Sequence, residues 1–455
     1  MDSSTKKKAH NIEKNEGAEF SGKKVTVIGG GLSGAMIALM LVQQGYRVAL
    51  FERRKDPRKE TGNAGRSINL GLSKRGIQAL KKVGLYEKVM SRTVKMKGRV
   101  VHLPDGSLKY QPYGKSDKEV LYSVDRNELN RELLEYAESY DELDMYFEHK
   151  FTSLDKVNRT LTFEVNGGEY LTSADLVIGS DGAFSAVRRE MHRGERAAYN
   201  QEFLEWGYKE LTLLPNSEGH SRIKKSALHV WPSNQGLIVS HPNLDGSHTL
   251  TLFLPFEGEN SFSVISDKES AEMYFKNNFS SLNPWLEEIL QHWEKQPVGS
   301  LVTTKTDRWV HDDWVVLIGD ASHAQYPFYG QGMNSAFEDC CLLMEQLMRQ
   351  QHRATALKSF EKMRKPHTDA LADLSKENFV ELRQKVRSPM FVARKKMDLL
   401  MHRVFPTLWI PLYGMISHTT MPYADARQRA KLQDKILNAA VAVLVITTAL
   451  LLVAP

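Results

Sequence analysis

The chain reads as an α/β protein, with a Rossmann-like dinucleotide-binding domain, an antiparallel-sheet layer and a helical C-terminal region. Three stretches say so. Val25 to Glu52 runs strand, glycine turn, helix and strand. Residues 195–300 alternate polar and apolar in short runs (Leu228 to Trp231, Gly236 to Ser240, Thr249 to Pro255), as a one-sided antiparallel sheet does. From Asn334 to about Ser417 the apolar spacing is mainly helical.

The first stretch is the most informative. Val25 to Ile28 is a β-branched run that predicts a buried strand. Gly29, Gly31 and Gly34 follow as G-x-G-x-x-G, a helical pattern occupies Leu32 to Gln44 with Gly45 as its C-cap, and Val48 to Phe51 leads to Glu52. Gly29 makes the tight turn, Gly31 lets backbone approach a pyrophosphate, and Gly34 lets helix and strand pack. Leu32 and Ser33 open a helix whose N-terminus favours phosphate. Glu52 can accept from ribose hydroxyls, and Arg53 follows it. A carboxylate here repels a 2′-phosphate, which favours FAD or NAD(H) over NADPH at this site and leaves those two open.

At 455 residues the chain has room for two or three domains. The net charge of +6 comes partly from Lys6, Lys7 and Lys8 and shows no basic stripe interleaved with aromatics, so no nucleic-acid partner is expected. Cys340 and Cys341 are neighbours on a helical pattern, and no Cys/His cluster has metal spacing, so no metal is expected. Residues 1–22 read as a disordered lead-in. At the other end, Ile436 to Val453 is an uncharged apolar run at the lower limit for a bilayer span. Arg427, Arg429, Lys431 and Lys435 precede it. A C-terminal membrane helix over 436–453 is therefore expected, with the bulk of the protein facing the cytosol.

Between these ends the elements follow in order. Gly65 to Leu85 gives a strand-like start and a helix from about Ser73, with Arg66 where the chain re-enters the dinucleotide region. Lys97 to Tyr113 reads as a hairpin around Pro104-Asp105-Gly106. A three-residue loop with Gly106 left-handed would put Arg99 and Tyr113 on one face, and that register is the expected one. Asp125 caps a helix opening with Arg126. Strands are expected at Tyr146 to Lys150 and Thr160 to Val165, and a buried strand from Ala174 runs into Ser180-Asp181-Gly182. Ser270 to Trp293 reads as helix. Val315 to Ile318 is a strand leading to Gly319-Asp320, a loop, and a helix from about Gly332. The expected division is a cofactor domain over 23–194 plus 301–350, with the 97–113 hairpin contributing to the substrate site. A sheet domain over 195–300 and a helical region over 351–434 complete it.

Three glycine-acid constellations now stand in order: the G-x-G-x-x-G unit with Glu52, Ser180-Asp181-Gly182, and Gly319-Asp320 leading to Pro327 and Gly330-Gln331-Gly332. Together they resemble the single-component FAD-dependent aromatic hydroxylases, the group containing p-hydroxybenzoate hydroxylase. GRSINLGLSKRG, the 97–113 hairpin, SVDRNELN, HVWP, PFYGQGMN and IPLY (Ile410 to Tyr413) are similar to the kynurenine-hydroxylating members, over nearly the whole chain from Lys23. The resemblance implies tightly bound FAD. It also implies NADPH and O2 as co-substrates, and hydroxylation of L-kynurenine at ring position 3 through a flavin C4a-hydroperoxide, in tryptophan catabolism toward NAD. It places Asp320 on the ribityl chain, with Arg66, Arg126 and Asp181 also at the cofactor. Pro327, Phe328, Tyr329 and Gly330 lie along the flavin ring, with Gly332, Met333 and Asn334 starting a helix aimed at it. Arg99, Tyr113, Asn378 and Tyr413 match substrate positions, and a mitochondrial outer-membrane location is implied. Two departures stand out. Tyr329 occupies a position where many animal relatives have Phe, and the apolar run ends at Pro455 without their polar tail.

Chemistry agrees with this reading. No acid–base dyad or nucleophile is evident, as suits a reaction in which the cofactor does the hard step. Arg99 offers a bidentate fork for an α-carboxylate, with Tyr113 as a second donor. Asn378 and Glu381 are three apart on a helix, hence neighbours, and Glu381 can meet an ammonium. Only one G-x-G-x-x-G occurs, so FAD holds it and NADPH binds transiently elsewhere. Alternatives at this point are a flavin monooxygenase acting on another aromatic or a lipid-soluble substrate, and a flavin-binding scaffold without turnover.

Overall fold

The computed structural model describes residues 23–59, 69–114, 119–233, 235–383, 385 and 388–453. Its first layer is a six-stranded sheet in the order Val310–His311, Val315–Leu317, Leu176–Gly179, Lys24–Ile28, Arg47–Phe51, Leu143–Tyr146. All its pairings are parallel except the first. The helix Leu32–Gln43 is buried on almost every face because it lies between this sheet and the helices Arg126–Ala137 and Gly332–Arg349. An apolar run without polar stripe requires such a position. Tyr146 to Lys150, expected as one strand, is instead the junction of two. Glu148 takes left-handed backbone (φ 58°) between Leu143–Tyr146 and Lys150–Asp155.

The second layer is a seven-stranded sheet in the order Gly299–Thr306, Tyr199–Leu213, His248–Pro255, Leu237–Pro242, Ala227–Pro232, Gly98–His102, Leu108–Pro112. The hairpin is thus continuous with this sheet, through a parallel pairing of Gly98–His102 with Ala227–Pro232. Strand alternation gives it two buried faces. Leu211, Leu250, Leu252 and Leu254 pack outward on Phe275 and Trp293, whereas Trp206, Val230, Leu237 and Phe253 face inward to Phe328 and Phe379. Three pieces replace the single helix expected over Ser270 to Trp293: Lys268–Asn278, a 3-10 turn Ser280–Trp285 and Leu286–Ile289. Pro284 has no N–H to continue a helix.

The C-terminal region is helical: Arg353–Arg383, Pro389–Val404, Leu412–His418 and Tyr423–Val453. Here one expectation is corrected. Among the described residues no helix is long and apolar enough to cross a membrane, so the membrane helix expected over 436–453 is withdrawn. The apolar run is not a separate element. It continues a helix whose first turns are core, with Tyr423 and Ala426 fully buried against Leu371, Leu374, Met415 and Ile416. Two of the four basic residues expected to flank a span, Arg427 and Arg429, are tied to the protein body. Arg427 pairs with Asp373 at 2.8 Å, and Arg429 donates to the Thr407 and Leu408 carbonyls at 2.6 and 2.8 Å.

Candidate active site

The glycine turn is built without tolerance. Gly29 has φ +106°, and a Cβ there would stand 2.5 Å from the Ser180 carbonyl oxygen. A Cβ on Gly34 would stand 1.8 Å from the Gly29 oxygen, while one on Gly31 would meet nothing within 4 Å. The turn is closed below and open at Gly31, as a pyrophosphate needs. Glu52 is 6% exposed. Its carboxylate accepts from the Gly30 N–H at 2.7 Å, the Arg54 N–H at 3.0 Å and Arg54 Nε at 2.8 Å. Burial pushes its pKa up, but Arg54 and the two backbone donors hold it below the ordinary value. A cavity of about 1090 Å³ opens from Gly30, Glu52 and Arg53 and runs on to Thr212, Asn243 and Thr249.

A second turn faces the same interior. Gly319 (φ +58°) sits against Ser33 and Ala336, whose atoms would be 3.1 and 3.2 Å from a Cβ. Its N–H donates to Asp339 at 2.9 Å, and Asp339, fully buried, also binds His323 (2.6 Å) and Arg364 (2.7 Å). Burial would raise the Asp339 pKa, but His323 and Arg364 hold it below the usual carboxylate range. The next residue, Asp320, lies deep in the molecule with its side chain exposed to the interior space. Burial raises its pKa and Arg126 opposes the rise. Arg126, the first residue of its helix, is likewise exposed there.

Pro327–Tyr329 forms a 3-10 turn ending at left-handed Gly330 (φ +65°). Pro327 and Gly330 are exposed, Phe328 and Tyr329 buried. One buried amide fixes this loop. Asn334 accepts from the Ser73 N–H at 2.9 Å and donates to the Gly71 and Gly330 carbonyls at 2.8 and 3.1 Å. Met333 is buried and Gly332 has open space around its Cα. Leu32 is buried under the first turn. The Asp181 carboxylate is occupied at the start of the Ala186–His192 helix, which Ser185 caps, accepting from the Ala186 and Val187 N–H groups at 2.7 and 3.1 Å. Its backbone, not its side chain, abuts Gly29. Arg66 lies outside the described residues.

The substrate candidates converge beside this loop. Leu103 N–H bonds the Ser107 carbonyl at 2.9 Å, and Gly106 is left-handed (φ +81°). The hairpin therefore turns through three residues and puts Arg99, Gln111 and Tyr113 on one face. Arg99 Nε donates to Gln111 Oε1 at 2.6 Å. Tyr113 stacks on Tyr413 (5.3 Å), and Tyr413 on Tyr329 (6.0 Å). Burial raises all three phenols, and the Arg99 charge acts on each, so the guanidinium lies among them. Asn378 donates to the Phe328 carbonyl at 2.8 Å, and Glu381 lies 3.4 Å from Lys395.

Sequence reasoning missed Gln111 and the Asp339 network. Gln111 becomes visible only once the hairpin register is assigned, because it stands directly opposite Arg99. Asp339 had a fainter signal, adjacent carboxylates Glu338 and Asp339 inside the largely apolar stretch SAFEDCCLL.

An FAD group fits what is present. The Gly31 opening would admit phosphates, Glu52 would meet a ribose as a carboxylate, and Asp320 and Arg126 offer exposed polar groups that act on one another. The FAD binding domain family matches residues 23–375. The chain is 48% identical to kynurenine 3-monooxygenase of Salinispora tropica, over 94% of this chain and 95% of that one. It is 39% identical to that of Stenotrophomonas maltophilia (92% of each chain) and 36% identical to that of Dictyostelium discoideum (91% and 92%). Among solved structures it is similar to the tetrameric form of 2-methyl-3-hydroxypyridine-5-carboxylic acid oxygenase. That match has TM-score 0.67 and 22% identity, over 81% of this chain and 94% of that one. It is also similar to pqsL, a probable FAD-dependent monooxygenase from Pseudomonas aeruginosa, with TM-score 0.65 and 22% identity over 82% and 100%. Those structural likenesses concern the fold. The bacterial relatives come from cells without mitochondria, and among the described residues no helix is long and apolar enough to cross a membrane. The expected mitochondrial outer-membrane location is corrected accordingly.

Proposed function

Since this chain belongs to the kynurenine 3-monooxygenases, within the FAD-dependent aromatic hydroxylases, we infer that it hydroxylates L-kynurenine at ring position 3 using NADPH and O2. The observation that carries the reading is Arg99 set among Tyr113, Tyr329 and Tyr413, next to the Pro327–Gly330 loop. An amino acid with an aromatic ring needs one fixed cation and aromatic walls.

FAD, when bound, supplies the oxygen-activating chemistry. Gly29, Gly31, Leu32, Ser33, Gly34 and Glu52 would hold its ADP half, with Arg53 beside the ribose. Asp320 and Arg126 would hold the ribityl and ring end. The protein's own task is positioning and exclusion of water. Arg99 binds the α-carboxylate through its fork, and Gln111 keeps the fork oriented. Tyr113 adds a donor, Glu381 faces the ammonium, and Asn378 fixes the Phe328 backbone so that the loop keeps its shape. Phe328, Tyr329 and Tyr413 wall the ring. The aniline nitrogen of kynurenine already activates its ortho carbon, so no base is asked of these residues. NADPH docks transiently outside the single glycine fingerprint. The test is NADPH oxidation by FAD-loaded protein with and without L-kynurenine. Kynurenine is expected to stimulate it, and the absence of stimulation would remove the assignment.

A further inference from the structure

One carboxyl on the cavity side of the seven-stranded sheet has no part in the site described so far. The strand Tyr199–Leu213 turns Trp206, Tyr208, Glu210 and Thr212 to the interior, opposite Leu211 and Leu213 in the outer core. That inner face is graded. Trp206 packs edge-on to Phe379 at 5.2 Å, and Tyr208 lies 6.4 Å from Phe253, whereas Thr212 lines the wide polar cavity together with Thr249 and Asn243. Glu210 stands at the boundary, opposite uncharged Thr251. Among the described residues its carboxyl makes no hydrogen bond. The charges facing it are Arg126 and Asp125 at the start of the Arg126–Ala137 helix, with Tyr208 beside it on its own strand. Further along the inner face, His241 is kept neutral by burial, at about 4, and carries no competing charge near pH 7. Burial lifts the Glu210 carboxyl to about 7, with Arg126 drawing it down and Asp125 adding to the rise. Arg126 is also the cation whose charge acts on Asp320.

Ring hydroxylation takes up a proton at each turnover: ArH + NADPH + O2 + H⁺ gives ArOH + NADP⁺ + H2O. A C–O bond replaces a C–H bond, one oxygen atom leaves as water, and the nicotinamide gives two electrons. The proton must enter a space whose aromatic walls keep solvent out. We propose that Glu210 is the proton entry point, passing a proton from the polar cavity at Thr212 and Thr249 to the cofactor side of the site, with Arg126 stabilising the carboxylate left behind. The inference rests on the hydroxylase reading above. Solvent in the cavity returns the proton to Glu210.

The test uses full-length FAD-loaded wild type, Glu210→Gln and Glu210→Asp. Without substrate, the infrared C=O band of a protonated carboxyl should be lost between roughly pH 6 and 8 in wild type and be absent from Glu210→Gln. With kynurenine and NADPH, Glu210→Gln should lose on the order of 10²-fold in kcat near pH 7 at unchanged KM, lose the alkaline limb of the pH profile, and be partly rescued in Glu210→Asp. A Glu210→Gln variant that keeps both kcat and pH profile, or that keeps the band, overturns the proposal. If Glu210→Gln does not retain FAD, the wild-type band and the Glu210→Asp profile decide by the same criteria. A wild type that ignores kynurenine overturns the hydroxylase reading instead, and the infrared titration then judges proton exchange at Glu210 independently.

Discussion

Arg99 and Gly34 illustrate how single residues limit this protein. A methyl group at Gly34 would collide with the Gly29 carbonyl oxygen at 1.8 Å, so the Gly34→Ala protein is expected to lose bound FAD, read from the flavin absorbance of purified protein. Arg99→Ala should raise the KM for kynurenine roughly 10- to 100-fold, the worth of a charge-assisted bidentate contact, while FAD content stays unchanged. Unchanged KM would remove Arg99 from the substrate site. Arg99→Lys should fare little better, because Gln111 at 2.6 Å orients a planar fork that an ammonium does not have. The placement of Arg99 with Tyr113 was legible in the sequence because Gly106 announces a left-handed third loop position. The resemblance puts Asp181 at the cofactor, and what no sequence signal announced is that its carboxylate accepts from the N–H groups of its own following helix.

Elements declare themselves when their signals are local. The strand–turn–helix–strand from Lys24 to Phe51 could be read directly, since period, glycine spacing and terminal acid all agree. Ser270 to Trp293 could not, because its apolar spacing masks a chain break at Phe279 and Pro284. Long-range ties are equally hidden. The Gly319 turn is held by Asp339, one helix away, and Asp339 in turn pairs with Arg364 and hydrogen-bonds His323 in a fully buried site. Asp339→Asn keeps the shape but removes the charge. It is expected to cost about 3–5 kcal/mol of stability, as breaking a buried ion pair does, measured by urea unfolding of the FAD-loaded protein. A loss within error of zero would show the network to be dispensable.

At the scale of the whole molecule, hydropathy alone misread the C-terminal helix. Composition from Ile436 onward does not reveal that the helix starts at Tyr423 and is tied to Asp373 through Arg427. The sheet domain offers a further global property, a buried histidine chain on its outer face. His229 Nε2 lies 3.0 Å from the Lys224 carbonyl, which only accepts, so His229 Nδ1 accepts from His102 Nε2 at 2.8 Å. His248 bridges Ser221 and Ser240 at 2.8 and 3.0 Å. Burial holds His102, His229 and His248 at about 3, 4 and 3, below the ordinary 6.5. The unfolded chain therefore takes up protons that the folded one refuses. Stability from these groups is complete above 6.5 and falls as pH drops toward their folded values, by up to about 1.4 kcal/mol per pH unit for each. Urea midpoints should drop between neutral pH and roughly pH 5, and a flat profile would contradict the neutral chain. The central claim, that this fold hydroxylates kynurenine with oxygen from O2, is tested most directly by product mass after turnover with NADPH under isotopically heavy O2. One heavy oxygen at ring position 3 of kynurenine is the predicted result. Unmodified kynurenine, or a product carrying oxygen from water, would contradict it.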